Sequence, residues 1–231
     1  MKYLLLVICL FFVTFNSFGQ TTYKTECDSF LYWQPNVRLK IQDYKGDTST
    51  SGMALCRKYN IHNVANVQIN SVLDVPKKNR KKGKLLEKVY FAPVFCKFCS
   101  FSIKYDSIEL LHDQIYFDIA EFCSRTARMK VDSIKQLLPG YGAMWITFAT
   151  TQEKMINLFH DMCGSYTYQL NAKKDSFAYQ KWRSMLDEAL NQTNNFATKP
   201  EECYRLLSGF PLDEEYERSK TMMAPQTRKK D

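Results

Sequence analysis

The stretch Asp106-Ser107-Ile108-Glu109-Leu110-Leu111-His112-Asp113-Gln114-Ile115-Tyr116-Phe117-Asp118-Ile119-Ala120-Glu121 decides how this chain folds. Its apolar residues recur at Ile108, Leu111, Ile115, Ile119 and Phe122, which is a helical period. Asp106 with Glu109 three residues later resembles a capping box, so the helix begins there. Pro139-Gly140 is the first stop signal downstream. The pattern predicts one long helix over 106–138.

Before that helix, residues 31–104 read mostly as strands. Val64 to Val75 alternates, and Lys84 to Pro93 and Phe95 to Ile103 are rich in Val, Phe, Tyr and Leu. The run Lys77-Lys78-Asn79-Arg80-Lys81-Lys82-Gly83-Lys84 carries six basic residues in eight and reads as a solvated hairpin tip between two of these strands. After the long helix, Tyr141 to Ala149 reads as extended. Thr150-Thr151-Gln152-Glu153 opens a helix carrying Met155, Ile156, Phe159 and Met162. A third helix is predicted over Ser176–Leu190, and Thr198-Lys199-Pro200-Glu201 starts a short one that Gly209 closes. Residues 211–231 are charged and poor in aliphatics and read as a disordered tail. Strands first and helices after give an α+β class, with a strand-rich layer packed on the long helix and further helices following.

The N-terminus reads as an export signal. Met1-Lys2 is a basic start, Tyr3 to Val13 is an almost unbroken apolar run, and Ser17-Phe18-Gly19 puts small residues before Gln20. Residues 1–19 therefore read as a cleaved signal peptide, and the run is too short to serve as a spanning helix of about 20 apolar residues. The expected product is a single domain over 20–210, exported to the periplasm, cell surface or medium and not transmembrane after cleavage. Sixteen Phe, 14 Tyr and 3 Trp supply a sizeable core. The net charge of +8 is concentrated in the basic run, and no nucleic-acid-binding module accompanies it, so nucleic acid is not an expected partner.

Seven cysteines follow the signal: Cys27, Cys56, Cys96, Cys99, Cys123, Cys163 and Cys203. Export permits disulfides, and an odd count leaves a free thiol or an intermolecular bridge. Cys96 and Cys99 form a C-x-x-C inside a strand-like run. Strand residues three apart point to opposite faces, so these two are not expected to bond each other.

Within the long helix, His112-Asp113-Gln114-Ile115-Tyr116-Phe117-Asp118-Ile119-Ala120-Glu121 resembles the H-E-Q-x-H-F-D-I-A-E helix of the bacterial domain-of-unknown-function family 922. That family looks like a set of zinc-dependent proteases. Trp33 followed by Arg38-Leu39-Lys40-Ile41-Gln42-Asp43-Tyr44-Lys45-Gly46 is similar to its N-terminal signature, and Ser51-Gly52-Met53-Ala54 to the segment after it. Gln180-Lys181-Trp182 is similar to its C-terminal Q-x-x-W helix. Between them, His160-Asp161-Met162-Cys163-Gly164-Ser165-Tyr166 aligns with a Y-D-x-x-T-x-H pattern whose His is the third metal ligand. The resemblance covers about residues 31–190 and implies a zincin-like fold. In such a fold, two His at i and i+4 grip zinc and the intervening Glu serves as general base.

The departures from that pattern set the functional expectation. His112 keeps the first ligand position. Asp113 replaces the base, Tyr116 the second ligand and Tyr166 the third. A phenol must lose a proton of pKa about 10 before it ligates well. The shorter acid falls about 1 Å short of the water, a displacement that can cost about 100-fold in rate. The expected function is thus a catalytically inactive relative of the proteases, acting as a binding or structural protein toward an exported protein or peptide, with no cofactor. The alternative is an active zinc peptidase using His112, His160 and a carboxylate such as Asp118 or Glu121. A third class uses the Cys96/Cys99 thiols. From the residues alone, His112 also reads as a buried, hydrogen-bonded histidine, and Tyr116 and Tyr166 as core aromatics whose hydroxyls bond His112 or Asp113. His62 carries no assigned role.

Overall fold

The computed structural model describes residues 23–48, 50–78, 86–138 and 143–220. The predicted signal peptide, the tip of the basic run and the last residues of the predicted tail lie outside them. Among the described residues, no helix is long and apolar enough to cross a membrane.

Four antiparallel strands form the main sheet. In sheet order they are β1 (Phe30–Tyr32), β4 (Lys88–Cys96), β3 (Val67–Pro76) and β6 (Tyr216–Arg218). The register runs from Val67 opposite Phe95 to Asp74 opposite Lys88, so the basic run does join a β3–β4 hairpin. A two-stranded ribbon pairs β2 (Asn63–Val64) with β5 (Phe101–Ser102). The long helix is α2 (Ser107–Leu137), preceded by α1 (Thr50–Tyr59) and followed by α3 (Ala143–Asn171), α4 (Ala178–Gln192) and α5 (Pro200–Ser208).

Strand β4 reads as a continuous apolar run because both of its faces are covered. Phe91 points to Ile115, Ile119 and Cys123 of α2, together with Leu73 of β3. Phe95 joins Phe117, Trp33 and Leu39. The alternate residues Ala92 and Val94 face Cys203, Leu206 and Leu207 of α5. A period of two thus divides one strand between two layers. Below β4, the Arg205 guanidinium of α5 grips the Asp74 carboxylate of β3 through two bonds, Nε to Oδ2 at 2.7 Å and Nη2 to Oδ1 at 2.5 Å.

The mixed architecture of antiparallel sheet and helix follows the sequence, and several local expectations are corrected. Residues 143–149 are helical, not extended. Met144, Phe148 and Met155 are buried on one helical stripe, and the Glu87 carboxylate accepts the N–H groups of Met144 and Trp145 at 2.9 and 3.1 Å, capping α3 earlier than Thr150. Asp106 does cap α2, accepting from the N–H groups of Ile108 and Glu109. Glu109 does not complete the box. Its carboxylate instead accepts from the N–H groups of His62 and Asn63 and ties α2 to β2.

The tail expectation fails over its first half. Tyr216 is buried, donates its hydroxyl to the Leu86 carbonyl at 2.8 Å and starts strand β6. Cys96 and Cys99 are bonded to each other, with 5.2 Å between their Cα atoms. The strand ends at Cys96, and Lys97 to Cys99 form a turn that Ser100 closes by donating its hydroxyl to the Cys96 carbonyl at 2.7 Å. Strand alternation does not apply across a turn, which is why the two thiols meet. Cys27, Cys56, Cys123, Cys163 and Cys203 are free.

Candidate functional site

Helix α2 carries His112, Asp113 and Tyr116 in its first turns, and α3 runs back beside it to bring Tyr166. The three aromatic positions converge. Tyr166 is fully buried, and its Oη lies 2.5 Å from His112 Nδ1. The rings of Tyr116 and Tyr166 meet edge to face at 5.3 Å. Tyr179 and Trp182 of α4 close the cluster, Tyr179 against His112 at 5.6 Å and Trp182 against Tyr166 at 5.4 Å.

Burial sets the protonation states. It holds the His112 imidazole below its ordinary value, against the opposing pull of Glu109 and Asp106. Burial also raises the Tyr166 phenol well above its ordinary 10. A neutral imidazole and a protonated phenol follow, sharing one hydrogen bond whose donor is set by the imidazole tautomer. Tyr116 is pushed up to about 12, mainly by burial. Its Oη lies 2.8 Å from Thr167 Oγ1, which donates its own proton to the Cys163 carbonyl at 2.8 Å, so Tyr116 is the donor to Thr167.

Asp113 is also buried. Its Oδ2 accepts from the Tyr44 hydroxyl at 2.6 Å, and the Asn63 amide lies beside it without a hydrogen bond of good geometry. Loss of water raises this carboxyl to about 7. Tyr44 opposes the rise and the Glu109 charge adds to it.

The segments that carry the sequence resemblance dock on this same helix. Trp33 Nε1 donates to Asp118 Oδ1 at 2.7 Å, and Gln114 accepts from the Leu39 N–H at 3.0 Å while donating to Asp118. Gly46 is pinned against the 97–100 turn, its N–H donating to the Ser100 carbonyl at 2.8 Å. A Cβ there would lie 2.6 Å from the Phe98 oxygen.

His160 is not brought to the cluster. It is exposed on α3, six residues from Tyr166, about 9 Å along the axis. Asp118 and Glu121 are already engaged as well. Asp118 takes Arg183 at 2.5 Å, and Glu121 takes Arg125 at 2.7 Å and the Thr198 N–H at 2.9 Å. The ligand set His112, His160 plus a carboxylate therefore does not assemble. Sequence reasoning missed Tyr44, Thr167 and Tyr179, which are ordinary surface or core residues until the fold places them. It also missed His62, whose Nδ1 lies 3.1 Å from Glu109 and 3.5 Å from Asp106. These three groups are close enough to hold a cation, but both carboxylates already accept backbone N–H bonds.

No protein-family model matches the chain, and no curated protein or solved structure matches it. The chemistry must be judged from the geometry. A catalytic zinc takes three protein ligands, drawn from His, Cys and carboxylate, and one water. Here His112 and Tyr166 satisfy each other through one hydrogen bond, and both phenols hold their protons more tightly than in water. Placing zinc would require breaking the His112–Tyr166 bond and ionising a fully buried phenol. The residues present do not fit the metal. They form a hydrogen-bonded aromatic plug. The Cys96–Cys99 bridge, for its part, ends a strand rather than opening a helix, so it lacks the helix dipole that activates redox thiols.

Proposed function

We propose that this chain is an exported binding protein built on a zincin-like, metallopeptidase-like scaffold whose ligand positions have been converted into packing. The observation that carries this is the hydrogen bond between His112 Nδ1 and Tyr166 Oη, which uses two ligand positions to satisfy each other. Asp113, at the base position, is likewise held by Tyr44. The surface beside the plug suits an apolar segment of an exported protein or peptide. On α2, Ile108 is 64% exposed and lies one turn from His112, with Leu111 49% exposed on the same turn.

Calorimetric titration with zinc tests this. The wild-type mature protein should bind zinc no tighter than about millimolar, and the variant Tyr116→His, Tyr166→His, Asp113→Glu should take up about one equivalent and melt at higher temperature when zinc is added. Submicromolar, stoichiometric zinc binding by the wild type would overturn the proposal, whatever the variant does.

A further inference from the structure

Away from the aromatic plug, the seam between α2 and α3 opens into a groove of about 420 Å³, within the range of small-molecule sites. Its floor is apolar, made by Cys123, Ala127 and Ile134 of α2 and by Met155 and Leu158 of α3. Two lysines also line it, Lys130 and Lys154.

Their placement is informative. The two helices are antiparallel, with Tyr116 level with Thr167 and Cys123 level with Met162. Counting along both helices puts Lys130 level with Lys154. Two exposed lysines thus line the trough at the same level, and among the described residues neither has an ion pair. The nearest acids in sequence, Asp132 and Glu153, do not line the groove. Two like charges at one level of an apolar groove raise the positive potential there, and a single anion between them relieves the repulsion.

We propose that this groove binds a free medium-chain fatty acid, with its carboxylate between Lys130 and Lys154 and its acyl chain along the floor toward Cys123. The seven residues from Lys130 to Cys123 give about 10 Å of helix, enough for about the first eight carbons of the chain, and the end of a longer chain extends past Cys123. An apolar floor under a paired cation matches that chemistry at both ends. A neutral alkane would leave the lysines unpaired, and a small anion would leave the floor wet.

The test uses the full mature protein and monomeric dodecanoate, dodecanol and dodecyltrimethylammonium, titrated by calorimetry. Dodecanoate should bind at one equivalent, at least tenfold tighter than the alkyl cation. The double variant Lys130→Gln, Lys154→Gln should lose about tenfold in dodecanoate affinity and keep its dodecanol affinity. Both lysines are exposed, so this variant should fold. Leu158→Trp should abolish binding of dodecanoate and dodecanol alike. Equal affinity for the carboxylate and the cation, or dodecanoate binding unchanged in the lysine variant, would overturn the proposal. So would sedimentation with phosphatidylglycerol vesicles in the absence of monomeric dodecanoate binding, which would make the groove a membrane contact instead.

Discussion

Asp113→Asn should make this protein more stable above neutral pH and leave it nearly unchanged in acid. Burial raises the Asp113 carboxyl from 3.8 to about 7 in the folded chain. That is a shift of about three units at 1.36 kcal/mol each, or about 4 kcal/mol. The folded value lies above the unfolded one, so between these pH values the native state holds more protons. Stability is then fully present below about pH 4 and falls as pH rises toward 7. Above that, the folded chain carries a buried, ionised carboxylate held mainly by the Tyr44 hydroxyl. An amide keeps an oxygen for the Tyr44 hydroxyl and has no charge to desolvate. Urea unfolding of wild type and variant at pH 4 and pH 8 measures the difference. The two should nearly coincide at pH 4 and separate by up to about 4 kcal/mol at pH 8, with the variant more stable. His112 titrates in the opposite sense, since its folded value lies below its ordinary one and its contribution grows with pH. It is common to both proteins and cancels in the subtraction. A variant less stable than wild type at pH 8, or a difference that does not change with pH, would refute the account of Asp113 as a desolvated acid.

Asp74→Ala should cost about 3–5 kcal/mol, because it leaves the buried Arg205 guanidinium without a counter-charge, and the pair Asp74→Leu with Arg205→Met should recover most of that in denaturant titrations. Gly46→Ala should destabilise by about 1–3 kcal/mol, measured by thermal melting, since the added methyl meets the backbone oxygens of Phe98 and Ser100. Thiol titration of the denatured, unreduced mature protein should find the five free cysteines, with Cys96 and Cys99 reacting only after reduction.

Where local chemistry and periodicity agree, the sequence was legible. The Asp106 cap and the apolar stripe through Ile115 and Ile119 defined α2 close to its ends. Pro200 and Gly209 bracketed α5, with Gly209 in the left-handed region at φ 75°. At the start of α3, Trp145, Ile146, Thr147 and Phe148 favour strands by composition, while the spacing of Met144, Phe148 and Met155 is helical. Tertiary burial of that stripe outweighed propensity. Helix α1 opens with Thr50-Ser51-Gly52, poor helix formers, inside a stretch that otherwise reads as strand. The convergence of Tyr166 on His112 was anticipated from an alignment of motifs. The role of Tyr44 was not, because a tyrosine 69 residues from Asp113 gives no local sign that it will reach a carboxylate. The C-x-x-C failed for a related reason: where a strand ends is decided by its neighbours, here by the 45–46 segment bonding to Lys97 and Ser100.

Strand β6 carries a consequence for the order in which this protein can be made. It pairs Arg218 with Asp74, and Arg205 of α5 neutralises the same aspartate, so the second face and last edge of the sheet are both supplied by the final stretch of the described chain. During synthesis, Asp74, Val94 and Ala92 emerge long before the residues that cover them. A chain arrested before Arg205 would hold a sheet with one bare apolar face, one bare edge and a lone buried-type carboxylate. Such a species is prone to aggregate, and closure across so large a sequence separation is slow. The protein therefore reaches its native state only once residues through Arg218 have emerged, and a truncation inside 205–218 should compromise folding.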